Sequence, residues 1–169
     1  RVTNPGPHYP MPYGGEDGMG LGKPLKPMVH PLRNKIPIYL GAEGPKNIAL
    51  STEIADGWLP LFYNPYDESV YASSLTNTKP DFQIAQMVTV NITDDIDAGL
   101  LGVKHFLSLY IGGMGAKGTN FHKNLFERMG YADEAEQIQK LFFEGKRDEA
   151  ARVIPDELAD AMALIGPKD

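Results

Sequence analysis

Apolar and polar positions between Ile36 and Pro60 fall into three successive patterns. Ile36, Ile38 and Leu40, with Tyr39, make an apolar run of strand length. Gly41-Ala42-Glu43-Gly44-Pro45 interrupts it. From Lys46 to Asp56 the apolar residues Ile48, Leu50, Ile54 and Ala55 are compatible with one helical face. Gly57-Trp58-Leu59-Pro60-Leu61-Phe62 then resumes as a second buried strand. A strand–helix–strand unit this short predicts two parallel neighbours joined by a right-handed crossover. The intervening turn lies at the carboxyl end of the first strand, where α/β proteins place their sites.

Further along, Asn64-Pro65 predicts a helix start, with Asn64 as cap and Asp67 and Glu68 in the first turn. Phe82, Ile84, Val88, Val90 and Ile92 alternate around Ala85 to Met87, predicting one strand that ends at Asn91-Ile92-Thr93. Residues 94 to 166 read as mainly helical. Asp94 or Asp95 caps a helix with Leu100, Val103, Leu107 and Tyr110 on one face. Thr119 or Asn120 caps the next, which ends near Met129-Gly130. Others run from Asp133 to Glu144, stopped by Gly145, from Asp148 to Val153, and from Asp156 to Ile165, closing at Gly166 with Pro167 beyond. This is more helix than a plain βα repeat supplies. Residues 1 to 35, with seven prolines and six glycines, read as an extended loop.

The Gly41 to Lys46 turn has the chemistry of an anion site. Pro45 suits the first helical position, since its missing N–H costs nothing there. The glycines permit close backbone approach, and the free amides and dipole of the helix start favour a phosphate, with Lys46 as an added point charge. A tight strand-to-helix turn without a ligand has the same pattern. Asp56 is placed to pin the entry of the second strand through local backbone hydrogen bonds, and Trp58 to lie in the core. Gly113-x-Gly115-x-x-Gly118 has the spacing of a dinucleotide fingerprint, but helical periodicity rather than a strand precedes it. A mobile glycine loop between two helices is the better reading. Of the four histidines, His8, His30, His105 and His122, none stands at metal-ligand spacing from another. His122 alone merits weighing for a role, because it follows the glycine run at a helix start. Tyr63 and Asn64 lie at the far end of the second strand. The sequence identifies no catalytic acid or base.

A length of 169 residues fits one domain, and 42% apolar residues can support a core. A net charge of −6 argues against nucleic acid as a partner. The absence of cysteine excludes disulfides, thiolate metal sites and a thiol nucleophile. No apolar run approaches the ~18 residues of a membrane helix, and a cytoplasmic location is the default.

The stretch IPIYLGAEGPKNIALSTEIADGWLP resembles the luciferase-like flavin and deazaflavin oxidoreductases, in which a strand ends in a small-residue Gly-Pro turn and an Ala-Asp-Gly-Trp-like strand follows. The run from Tyr110 through Gly112-Gly113-Met114-Gly115-Ala116-Lys117-Gly118-Thr119-Asn120 to Phe121 resembles the subgroup that uses coenzyme F420. Pro155-Asp156-Glu157-Leu158 and Leu164-Ile165-Gly166-Pro167 resemble that subgroup's approach to its last barrel strand. The resemblance covers most of residues 24 to 169. It implies an α/β fold: an incomplete (β/α)8 TIM barrel over residues 36 to 169, carrying an added helical region. It further implies a fragment of a deazaflavin-dependent oxidoreductase, inactive alone, that acts on a small molecule by hydride transfer to or from C5 of the deazaflavin, and that assembles as a homo-oligomer. Gly41, Ala42, Glu43, Gly44, Pro45 and Lys46 would serve the coenzyme's phosphate end. Glu43 departs from the family pattern, since a carboxylate beside a phosphate repels it unless it points away. The same fold also takes FMN, as a monooxygenase, and a non-catalytic helical interaction remnant is the alternative of another class.

Overall fold

Asp56 sets the frame of the α/β part. In the computed structural model, which describes residues 1–33, 35–116 and 118–168, its backbone N–H donates to the Ile38 carbonyl at 2.8 Å. Its carboxylate accepts from the Ile38 N–H at 2.9 Å. This double hold starts a parallel pair, β1 (Tyr39–Gly41) and β2 (Gly57–Leu59), in the register Tyr39 to Gly57, Leu40 to Trp58 and Gly41 to Leu59. The connection is α1 (Pro45–Ile54), with Pro45 at its start and Ile48, Ser51 and Thr52 on its buried face. A third strand, β3 (Gln83–Ile84), adds to β2, also in parallel. The strands are shorter than the apolar runs suggest. Ile36 and Ile38 are exposed before β1, and Pro60, which cannot donate to a ladder, follows β2 directly.

Two expectations are corrected between residues 64 and 92. Asn64 does not cap a helix. Its Oδ1 accepts from the Tyr66 N–H, and the Asp67 carboxylate from the Ser69 N–H. These two local turns postpone the helix to the single turn α2 (Ser69–Ala72). The alternating residues from Phe82 to Ile92 are not one strand. Gln83–Ile84 belongs with β2, whereas β4 (Thr89–Ile92) pairs in parallel with β5 (Ala163–Gly166) in a second sheet. The switch falls at Ala85 to Met87, where the alternation lapses. Among the described residues the two sheets, of three and two strands, do not join into a closed barrel.

The helical array follows the predicted boundaries closely until its end. It comprises α3 (Ile96–Gly113), α4 (Phe121–Arg128), α5 (Ala132–Phe143), α6 (Arg147–Val153) and α7 (Asp156–Ala161). Asp95 caps α3 through the Ala98 N–H at 3.0 Å. Gly130 and Gly145, at φ of 96° and 79°, end α4 and α5. Leu107, Ile111, Phe126, Ile138 and Leu158 form the core between the helices. The last helix does not reach Ile165. It stops at Ala161, and Ala163–Gly166 becomes β5. Four apolar residues carry no period that separates helix from strand, and pairing with β4 supplies the ladder. Gly99 on α3 sits against this sheet, and a Cβ there would meet the Ile165 side chain at 2.7 Å.

Contacts cluster into two units, Arg1–Ile36 and Pro37–Asp169. The first contains isolated backbone bridges, Val2 to Leu25 and Asn4 to Met11, rather than helices or strands. The Asn4 side chain braces it by donating to the Tyr9 carbonyl at 2.8 Å.

Trp58, Tyr63 and Tyr71 form an aromatic cluster beside β2. Tyr63 stacks on Tyr71 at 5.2 Å, and Trp58 meets both edge-on. The Tyr71 hydroxyl donates to the Phe62 carbonyl at 3.1 Å, and the Tyr63 hydroxyl donates to Glu68. Burial, then the hydrogen bond and charge of Glu68, push the Tyr63 phenol up to about 12. Burial first, then the Glu43 charge, raises Tyr71 further.

A Cβ at Gly57 would stand 2.7 Å from the Gln83 carbonyl and press on the Tyr39 ring. Gly57→Ala should therefore cost ~1–3 kcal/mol, read as a lowered urea midpoint at unchanged slope. On alkaline titration Tyr63 and Tyr71 should stay neutral past pH 10. In the unfolded chain both lose their protons near pH 10, whereas the folded chain retains them. Stability should therefore hold below pH 10 and fall between 10 and about 12, followed by absorbance at 295 nm alongside circular dichroism.

Candidate functional site at the β1–α1 turn

The turn after β1 is tied to β2 by one hydrogen bond: the Trp58 Nε1–H donates to the Ala42 carbonyl at 2.8 Å. Gly44, extended at φ −82° and ψ 146°, occupies the cap position of α1, and its carbonyl accepts from the Asn47 and Ile48 N–H groups at 3.0 Å each. Pro45 brings no donor. Among the described residues the Gly44 and Lys46 amides have no backbone or side-chain acceptor. A Cβ built on Gly44 would meet nothing within 4 Å, so this face of the turn is open. The Lys46 residue lines a groove with Thr52, Ser74 and Lys79 along α1.

Glu43 faces the other way. Its Oε1 accepts from the Leu61 N–H at 3.3 Å, and its Oε2 lies 3.7 Å from His122 Nδ1. Both of these last atoms are buried without a hydrogen-bond partner. Arg128 donates through its guanidinium to the Glu43 carbonyl at 3.1 Å. His122 and Arg128 stand at the two ends of α4, so this helix approaches the Glu43 side chain at one end and bonds its backbone carbonyl at the other.

Asn120 places α4. Its Oδ1 accepts from the His122 and Lys123 N–H groups at 3.0 Å, and its Nδ2 donates to the Tyr110 and Ile111 carbonyls at 2.9 Å. One buried side chain thus caps α4 and satisfies carbonyls in the last turn of α3. The glycine run is partly helical, since Gly112 and Gly113 end α3. Only the stretch after it is a loop, with Ala116 bridged to Thr119 and Gly118 at φ +82°. Lys117 of that run and Asp169 at the carboxyl end lie outside the described residues. The His122 ring stands edge-on to Phe62 at 5.7 Å and to Tyr110 at 4.9 Å. Beside Phe62 lies an apolar cavity of about 260 Å³, lined by Leu61, Val88, Val103, Phe106 and Met162 among others.

The sequence singled out Glu43 as out of pattern and His122 as a lone candidate, and the structure brings them together. Arg128 was not singled out, and only the fold reveals it. Tyr63 is buried under the turn rather than open at a rim, and Asn64 serves a local turn. His105 lies 3.7 Å from Asp148 on α6, while His8 and His30 are exposed. Among the described residues no three His, Asp or Glu side chains gather to hold a metal, and no helix is long and apolar enough to cross a membrane.

The chain is 50% identical to a putative coenzyme F420-dependent oxidoreductase of Mycobacterium tuberculosis, over 99% of this chain and 51% of that protein. It is 23% identical to the 5,10-methylenetetrahydromethanopterin reductase of Archaeoglobus fulgidus, over 79% of this chain and 42% of the relative. The structure of the coenzyme F420-dependent tetrahydromethanopterin reductase of Methanopyrus kandleri superposes with a TM-score of 0.56 at 24% identity, covering 76% of this chain and 37% of that one. The chain thus spans about half the length of the curated relatives it matches. The luciferase-like monooxygenase family model matches residues 8–169, and the chain belongs to that family.

Proposed function

We propose that this chain is part of a coenzyme F420-dependent oxidoreductase, and that its β1–α1 turn receives the phosphate end of the coenzyme. The observation that supports this most is the open face at Gly44. It joins two amides without acceptors to the start of a ten-residue helix, in a chain half identical to a putative F420-dependent enzyme. Gly41, Ala42, Gly44 and Pro45 supply the close backbone approach, and the Lys46 amide and charge complete the cradle. When bound, the deazaflavin supplies hydride transfer with a small-molecule substrate, and the protein positions its ring. The strands are those of an incomplete (β/α)8 barrel spanning residues 36 to 169, with α3 to α7 as the added helical region. The apolar cavity beside Phe62 is suited to an apolar part of the coenzyme or substrate.

Titrated with F420, the chain should quench or shift the fluorescence of Trp58, its single tryptophan, whose indole is bonded to the turn; FMN should bind more weakly. Gly44→Asp should weaken the response at least ~10-fold, because a carboxylate ~5 Å from a phosphate repels it by about 3 kcal/mol at an effective dielectric of ~20. Unchanged affinity would exclude the turn as the phosphate site. Val88, Val90, Ile92 and Leu164 are exposed on β4 and β5 and the residues flanking them. Light scattering should accordingly show the isolated chain self-associated, and assays with any reductant should show no turnover.

A further inference from the structure

Glu43 is the one acid in a turn otherwise built for an anion, and the structure offers a reason why it is tolerated. Its carboxylate is turned to Leu61 and His122. Glu43 Oε2 and His122 Nδ1 are buried, each lacks a hydrogen-bond partner, and they stand 3.7 Å apart. A buried acceptor and a buried ring nitrogen so placed satisfy each other after a small adjustment, and are costly if separated. The His122 ring is fixed from two sides, edge-on against Phe62 and Tyr110. Its backbone is fixed by Asn120. Arg128 fixes the Glu43 backbone from the far end of the same helix.

We propose that His122 is a positioning residue: it latches the Glu43 carboxylate against Leu61, so that the acid stays off the open Gly44 face and the turn can accept a phosphate group. The inference rests on the phosphate reading above. It assigns α4, and the glycine-containing loop that leads into it, control over the charge presented by a turn in the α/β part of the fold. Without the latch, the carboxylate is free to swing toward the anion and compete for the amides that would bind it.

The test uses the full chain with inorganic pyrophosphate and F420 as probes and Trp58 fluorescence as readout. His122→Ala should lower the affinity for both about 10-fold, the scale of one like charge near a phosphate that solvent screens in part. Glu43→Gln should raise affinity modestly. The double variant should return to within about twofold of Glu43→Gln alone, a coupling that independent sites do not show. His122→Asn, whose amide donates from nearly the same place, should retain most of the wild-type affinity. If His122→Ala is as damaging in the Glu43→Gln background as in the wild type, or has no effect, the latch is refuted. A second readout needs no ligand. In the free chain His122→Ala should speed hydrogen exchange at the Leu61 amide, since its acceptor is released, while the Tyr71 and Ile111 amides remain protected. Unchanged protection at Leu61 overturns the latch whether or not any probe binds. Loss of Leu61 protection in His122→Ala, without a wild-type response to either probe, instead leaves the latch standing and refutes the phosphate reading.

Discussion

The bond from Trp58 Nε1 to the Ala42 carbonyl is the constraint on which the site depends. Trp58 is 1% exposed, and an indole donor at that depth needs an acceptor. The bond ties the Ala42 carbonyl, just past the end of β1, to a residue of β2. In the same turn the Glu43 carboxylate lies toward Leu61, and Gly44 stands on the open side. The aromatic cluster under the indole holds it rigidly, with Tyr71 and Tyr63 packed edge and face. The turn is therefore anchored to the packing beneath it as well as shaped by its own residues.

The helical array contributes by placement. Apolar contacts among α3, α5 and α6 carry its stability. Ion pairs at the surface, such as Lys104 with Asp156 and Lys123 with Glu136, add little individually in water. The decisive polar group is buried Asn120, which satisfies two amides of α4 and two carbonyls of α3 at once. Such a fully used side chain specifies one geometry, because any other leaves several buried groups unpaired. Through it the position of His122 is inherited from α3.

Local signals made much of this legible. The apolar runs around Gly57 and Pro45 at a helix start predicted the parallel pair and its connection; Asp56 holds strand entry as expected of it, but by bonds to distant Ile38 rather than to local backbone. Capping chemistry at Asp95 and Asn120 and the glycines at 130 and 145 marked helix ends within a residue or two. What escaped was non-local. Which sheet Thr89–Ile92 joins depends on Ala163–Gly166, far along the chain, and four apolar residues at Ala163 carry no period that announces a strand. Asn64 looked like a cap because Asn caps helices, but the same chemistry closes a two-residue turn on itself. The approach of His122 and Arg128 to Glu43 is likewise a product of the fold. The sequence contributed only the oddity of an acid in a phosphate-like turn.

That oddity has a physical logic. A carboxylate under the turn, bonded to the Leu61 amide, braces the loop after β2 against the end of β1, where a small neutral residue would leave that amide without a side-chain acceptor. The same charge on the outer face would oppose an anion. Bracing and anion tolerance are compatible only if the side chain has a single direction, the role proposed for His122, while Arg128 bonds the backbone carbonyl of the same residue. The acid therefore trades a local electrostatic liability for a mechanical link between the β1–α1 turn and α4. A helix remote in sequence thereby contacts the turn through His122 and Arg128.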